Sequence, residues 1–248
     1  MVADPRRLDY DGERLSFEGQ TIHLVYRRLL TTEFLERYDV AKPVWEAYRD
    51  RKICMVNNFR AKFLHKKAIF ALLTDPVYQE GMSPEQLFAV YTHVPWTRRV
   101  ADCRTTDIDG RQIELLDWIR KNRPPATRGR QRELRDGMRK NRRNIVMKPN
   151  DEYGGKGIFV GWEMNDQDWD NAIQSAMESF YLVQNKVEVS REVYPTWDGK
   201  TVHWAEYTVD LDPFVFNGEV EGLLTRLSAT ALCNVTAGGG VVPTFILD

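Results

Sequence analysis

NIVMKPNDEYGGKG, residues 144–157, is the stretch on which the reading of the whole chain turns. The apolar run Ile145, Val146, Met147 carries a lysine, Lys148, to a proline that stops the strand. After a short polar turn come Gly154, Gly155, Lys156 and Gly157, then a second apolar run of Ile158, Phe159 and Val160. Strand, glycine-rich turn and strand predict a hairpin. Its tip can lie against an anion, because glycine lets backbone N–H groups approach phosphate oxygens with no Cβ in the way. Lys148 and Lys156 would add positive charge at the same end. The pattern is not a P-loop, since no Ser or Thr follows Lys156 and the next residues continue as strand rather than helix. Taken alone, the stretch equally fits an ordinary glycine hairpin with solvated lysines, so the remainder of the chain has to decide.

The composition bounds that decision. With 248 residues, 42% of them hydrophobic and 29% charged, the chain can bury a core and falls outside the disordered class. A formal net charge of −1 argues against a generic polyanion binder. No apolar run has the length of a membrane span, and the first residues lack the apolar core of a secretory signal, so a cytoplasmic protein is expected. Cys54, Cys103 and Cys233 are odd in number and widely spaced, which fits reduced thiols rather than a disulfide framework or a zinc site. His23, His65, His93 and His203 are scattered, and give no support to histidine-based metal binding or Ser–His catalysis.

Along the chain, residues 15–20 and 21–26 read as two strands around Gly19, and the second delivers Arg27 and Arg28 at its end. Thr31, Thr32 and Glu33 resemble a helix cap, and Pro43 reads as the start of a helix over 43–50. Residues 53–56 form a short apolar run. Apolar positions at 63/64, 68/69 and 72/73 predict one helix from Ala61 to Leu73. Ser83, Pro84 and Gln86 open another, residues 94–100 return as an extended segment, and residues 113–122 are expected as helix. The eight basic residues within 128–143 read as a solvated helix; no aromatics are interleaved as nucleic-acid binding would favour. Beyond the glycine hairpin, residues 168–180 predict a helix and 181–189 a strand. Residues 202–211 and 214–216 read as two further strands, followed by a hairpin turn at Asn217 and Gly218 and a strand over 220–227. The fold class is therefore α+β, with antiparallel sheets in the second half. An N-terminal α/β region is expected over 1–125 and a C-terminal region over 126–248.

A nucleotide-triphosphate site needs an adenine slot, oxygen ligands for Mg²⁺ and a cation for the transferred phosphoryl group. Gln184 and the strand after it supply a candidate adenine edge. Asp210 and Asp212 alternate on one strand face, a spacing that can bring both to one cation. Arg226 ends the following strand, and Asn234 leads the second glycine loop at 238–240.

The order and wording of these pieces resemble the circularly permuted ATP-grasp family, relatives of glutathionylspermidine synthetase and eukaryotic glutathione synthetase. The resemblance runs from about Val25 onward and rests on VYRR (25–28), NNFR (57–60) with HKKA (65–68), VPWTRR (94–99), KPNDEYGGKG (148–157), VDLDPF (209–214), LTR (224–226) and NVTAGGG (234–240). It implies an ATP-grasp-like α+β fold, with antiparallel sheets, flanking helices and a glycine-rich lid hairpin. It further implies that Lys148 and Lys67 contact ATP, with the neighbouring Lys66 as the alternative to Lys67. Tyr153, Gly154, Gly155, Lys156 and Gly157 would form the phosphate-covering loop, and Gln184 would hold the adenine position. Asp210 and Asn234 would bind Mg²⁺, Arg226 would contact phosphate or acyl phosphate, and Arg27 and Arg28 would clamp a substrate carboxylate.

Leu232 stands where the family's Glu-x-Asn pattern has its acid, and the chain begins near the middle of the relatives' length, so an N-terminally shortened protein is expected. The implied reaction is Mg²⁺-dependent ligation of a small-molecule or peptide carboxylate to an amine through an acyl phosphate. The alternative is an ATP-binding protein without ligase activity.

Overall fold

The computed structural model describes residues 1–121, 145–230, 233 and 239–246, and it is a mixed α/β structure with several antiparallel sheets. Its backbone divides into two compact units, Met1–Lys66 and Lys67–Asp248. The division lies earlier than the 125/126 boundary expected from the sequence. The reason is pairing: residues 97–99 belong to the same sheet as residues 145–185. Among the described residues no helix is long and apolar enough to cross a membrane.

In the first unit β1 (Leu8–Tyr10), β2 (Leu15–Phe17) and β3 (Gln20–Ile22) form an antiparallel meander. Glu18 and Gly19 make its second turn with φ of 50° and 81°, the left-handed pair a two-residue hairpin requires. β4 (Leu24–Tyr26) then runs parallel to β5 (Cys54–Val56). Between them lie α1 (Thr31–Glu36) and α2 (Tyr38–Arg49). Thr31 is the first residue of α1 rather than its cap, and the Glu33 carboxylate accepts from Leu30 N at 3.0 Å. Pro43 lies inside α2, five residues past the start of the helix, instead of opening it. Phe34, Ala41, Val44 and Ala47 pack with Leu15, Ile53 and Met55 to form this unit's core.

The helix expected over 61–73 is two helices. α3 (Lys62–His65) ends at Lys66, whose ψ is 127°, and α4 (Ala68–Leu73) starts with Lys67 as its cap. A tertiary contact overrides the periodicity. Asn150 takes the new N-terminus, its backbone oxygen accepting from Lys67 N at 3.1 Å and its Oδ1 from Ala68 N at 2.9 Å. Phe63 and Leu64, assigned to a buried face by their spacing, are exposed.

The second unit continues with α5 (Pro84–His93), opened by a reciprocal Ser83–Gln86 capping box, then β6 (Thr97–Arg99), β7 (Arg104–Thr106), β8 (Gln112–Glu114) and α6 (Leu115–Lys121). Ile113, expected in a helix, is in β8. β9 (Ile145–Pro149), β10 (Phe159–Val160), α7 (Asp166–Glu178) and β11 (Tyr181–Asn185) follow. The sheet order is β10-β9-β11-β6, all antiparallel. Alternation sorts its faces. Ile145, Met147, Val183 and Trp96 face a core built with Leu115, Trp118, Ile119, Trp169 and Ile173 from α6 and α7. Lys148, Leu182, Gln184 and Thr97 share the opposite face.

A second sheet joins β12 (Arg191–Trp197), β13 (Val202–Phe216), β14 (Glu219–Ser228) and β15 (Gly240–Val242). Strands expected at 202–211 and 214–216 are one strand that runs through Pro213, with a register shift after it at Phe214/Val215. The β13–β14 turn is Asn217–Gly218, with φ of 52° and 88°. The basic stretch 128–143 lies outside the described residues.

Candidate functional site

The hairpin read from residues 144–157 is present. β9 and β10 pair at Met147–Phe159 and Val146–Val160, and the glycine turn links them. Gly154, Gly155 and Gly157 have φ of 71°, 77° and 67°, a backbone that L side chains rarely adopt. At Gly157 space is also short: a Cβ would lie 2.9 Å from Tyr181 Oη and 3.4 Å from Pro149 Cγ. The turn is thus laid directly on β9 and β11. Tyr181 stacks on Phe159 with ring centroids 5.4 Å apart, and burial with the nearby Glu152 charge pushes its phenol up. At the outer side Tyr153 is exposed, and Lys156 Nζ lies 5.3 Å from the centre of its ring.

Lys148 leaves β9 two residues before the turn begins, and its partner is a neutral amide. Nζ donates to Gln184 Oε1 at 2.9 Å. Gln184 Nε2 donates to Thr97 Oγ1 at 2.9 Å, which donates to Pro95 O at 2.8 Å. This line of polar groups crosses one face of β9, β11 and β6, with Gln184 opposite Thr97 and diagonal to Lys148, and Gln184 and Thr97 are both buried. Burial holds the Lys148 ammonium below its ordinary pKa, and the charge of Lys67 adds to that. Lys67 reaches the same place from the start of α4, where its Nζ donates to Glu152 O at 2.5 Å. The sequence had paired Lys148 and Lys67 only by resemblance; Asn150 is the device that brings them together. Lys66 closes α3 and belongs to the first unit. Two cations, one of them partly buried beside an amide, near the end of β9 from which the glycine turn departs, suit an anion with several oxygens.

The carboxylates form a separate group on the other sheet. Asp210 pairs with Arg226 across β13 and β14, and Asp212 lies two residues on, on the same face as expected. Arg226 Nε donates to Asp210 Oδ2 at 2.8 Å and its Nη2 bonds that oxygen too, while Nη2 also lies 2.9 Å from Asp212 Oδ2. Both acids expected near Mg²⁺ thus share one guanidinium. Their oxygens are the hard donors Mg²⁺ takes, yet Arg226 already engages them. Among the described residues no group of three or more His, Cys, Asp or Glu side chains could hold a metal. Asn234 and Leu232 lie outside the described residues. Cys233 is near this cluster, and burial together with Asp210 pushes its thiol up; Cys54, Cys103 and Cys233 form no disulfide.

In the first unit the two arginines of VYRR have different surroundings. Arg27 is a strut. Its Nε donates to Asn57 O at 2.8 Å, its Nη2 to Asn58 O at 3.3 Å and its Nη1 to Leu29 O, and the guanidinium lies 5.1 Å from the centre of the Phe59 ring. Arg28 is exposed, with no hydrogen bond or ion pair among the described residues. Both line a cavity of about 480 Å³ together with Thr31 and Lys62. A more apolar cavity of about 790 Å³ shares Arg27, Arg28 and Leu29 with it.

Compared with models of known protein families and with curated proteins, the chain gives no match. Its functional reading therefore rests on these residues. Asn150 and Thr97 were not anticipated as parts of the site. Asn150 carried a signal in its place immediately after the Lys-Pro stop, whereas Thr97 looked like any strand threonine.

Proposed function

We propose that the chain binds ATP at the Lys67–Lys148–Gln184 cluster, near the end of β9 that leads into the glycine turn, and uses it to join a carboxylate to an amine. The observation that carries the reading is the state of Lys148. It is a partly buried ammonium, hydrogen-bonded to an amide and repelled by Lys67. Holding two like charges close together costs free energy that an anion offsets on binding. Gln184, tied to both Lys148 and Thr97, fixes the lysine's direction. The glycine turn offers backbone N–H groups at the same end of β9 and can exclude water from what lies beneath it.

Under this reading the nucleotide is a substrate: it transfers its terminal phosphoryl group to the carboxylate, and the amine then displaces phosphate from the acyl phosphate. Asp210, with Asn234, is the proposed Mg²⁺ holder, and Arg226 would neutralise charge on the transferred group after exchanging its carboxylate partners for phosphate. No protein nucleophile is required.

The occupation of Arg226 favours a second reading, in which the chain binds ATP without ligating. An arginine held by two aspartates leaves neither the acids nor the cation committed to a substrate. One experiment separates the two. ADP release is followed with Mg²⁺ and combinations of amino acids, short peptides and polyamines, alongside the thermal shift produced by Mg-ATP. ADP formation requiring both an acid and an amine supports ligation. A thermal shift without ADP supports the second reading, and absence of both rejects ATP binding altogether.

A further inference from the structure

Thr97 is fully buried on β6, an edge strand of the β10-β9-β11-β6 sheet. A threonine hydroxyl has a single proton, and here it goes to Pro95 O at 2.8 Å. Toward Gln184 the hydroxyl oxygen can therefore only accept. It takes Gln184 Nε2 at 2.9 Å, which turns the amide so that Oε1 faces Lys148 Nζ, 2.9 Å away. An ammonium has no lone pair and only donates, so Oε1 is the amide atom it can use. Reversing the amide would set its NH₂ group against the ammonium and draw the hydroxyl proton away from Pro95.

Thr97 is itself held from behind. Val100 N donates to Tyr181 O at 2.9 Å and Asn185 N to Trp96 O at 3.0 Å, so Thr97 and Gln184 are a non-hydrogen-bonded pair and the Thr97 peptide groups point away from β11. Thr97 N donates to Thr74 Oγ1 at 3.2 Å, and Thr97 O accepts from Arg98 Nη1 at 2.8 Å. Thr74 ends α4, the helix that Lys67 opens. A closed circuit results, running from Lys148 through Asn150, α4, Thr74, Thr97 and Gln184 back to Lys148.

We infer that Thr97 is a positioning residue of the lysine site, its hydroxyl, committed to Pro95, orienting the Gln184 amide that holds Lys148 as an ammonium. Burial and the charge of Lys67, which reaches in from α4, press Lys148 toward its neutral form, and the Gln184 oxygen works against both. As a device for the lysine this stands on the hydrogen bonds alone; its effect on nucleotide rests on the reading proposed above.

The test removes the hydroxyl and keeps the shape. In the full chain without nucleotide, lysines isotope-labelled at Cε are titrated by NMR, and Lys148 is assigned as the signal lost in Lys148→Met. Thr97→Val should lower the Lys148 midpoint below that of the wild type. Thr97→Ser, which keeps the hydroxyl and loses only the methyl, should stay close to the wild type. In a Gln184→Met background Thr97→Val should add no further shift, since the amide through which it acts is gone. Thermal unfolding verifies that the variants fold; should Thr97→Val not fold, Thr97→Cys, whose sulfur is a weak acceptor, carries the same expectation. A second arm measures Mg-ATP by calorimetry, where Thr97→Val should weaken binding about tenfold and Thr97→Ser much less. A wild type that binds no ATP would remove the nucleotide reading and leave the first arm to decide the role of Thr97. An unchanged Lys148 midpoint in Thr97→Val, equal shifts in the Val and Ser variants, or a further shift in the Gln184→Met background would each overturn the assignment.

Discussion

Lys148 and Arg226 are both cations on sheet strands, both partly buried, and their surroundings are opposite. Arg226 faces Asp210 and Asp212, so its charge is met within the fold. Lys148 faces the amide of Gln184 and the charge of Lys67. A cation matched by carboxylates is at rest, and it resists entry of anything that must take its partners away. A cation set beside a neutral amide and a second cation is held out of balance, and a multivalent anion would restore it. Strand position does not distinguish the two residues. What their side chains touch does.

The comparison breaks most easily at Lys148. If the cluster is the ATP site, Lys148→Ala should weaken Mg-ATP binding by about a hundredfold, in the range found when one partner of a buried charged contact is cut away. The thermal shift given by Mg-ATP should then vanish at concentrations that protect the wild type. Undiminished protection would remove Lys148 from the site. The turn above it comes next. Gly157→Ala forces a left-handed backbone and a Cβ against Tyr181 Oη, which should cost about 2 kcal/mol in chemical denaturation. Adding Tyr181→Phe should return part of that loss if the close approach, and not φ alone, is responsible. Arg226→Ala should cost less, about 1 kcal/mol, because the ion pair is only partly shielded from water. A loss far larger than that would show the acids to depend on it more than their exposure suggests.

The smallest effect sharpens the contrast through pH. The folded-state pKa of Lys148 is depressed below 10.5, so between the folded value and 10.5 the unfolded chain binds more protons than the folded one. Stability should therefore rise with pH through that window, relative to Lys148→Met, which cannot titrate. Parallel denaturation curves for the two proteins up to pH 10.5 would show Lys148 to be unshifted.

Elements defined by local chemistry were legible in the sequence. The glycine hairpin, the Ser83 capping box and the Asn217–Gly218 turn are each dictated by backbone conformations that few residues accept, and all three are present. Aspartates two apart on a strand must share a face, and they do. Elements decided across the chain were not legible. The apolar spacing from Ala61 to Leu73 is a sound helical pattern, but it has no means of expressing that Asn150 claims Lys67 and Ala68. Nor does the VYRR motif distinguish its two arginines, since the carbonyls that occupy Arg27 come from residues about thirty positions away as well as from Leu29. The alternation of β11 put Gln184 in a plausible place, while its partners Lys148 and Thr97 arrive from two other strands.

The bridge made by Asn150 has a consequence for how this pair of lysines tolerates change. Asn150 is joined to Lys148 through a single proline, and it grips the main chain at Lys67 and Ala68. The separation of the two lysine backbones is therefore written in peptide geometry and is independent of the side chains they bear. Either lysine can be exchanged for arginine, glutamine or a chemically modified analogue while its Cα stays where it was. A redesigner thus has two adjustable positions mounted on a fixed gauge, and Asn150 is the one residue of the three to leave alone.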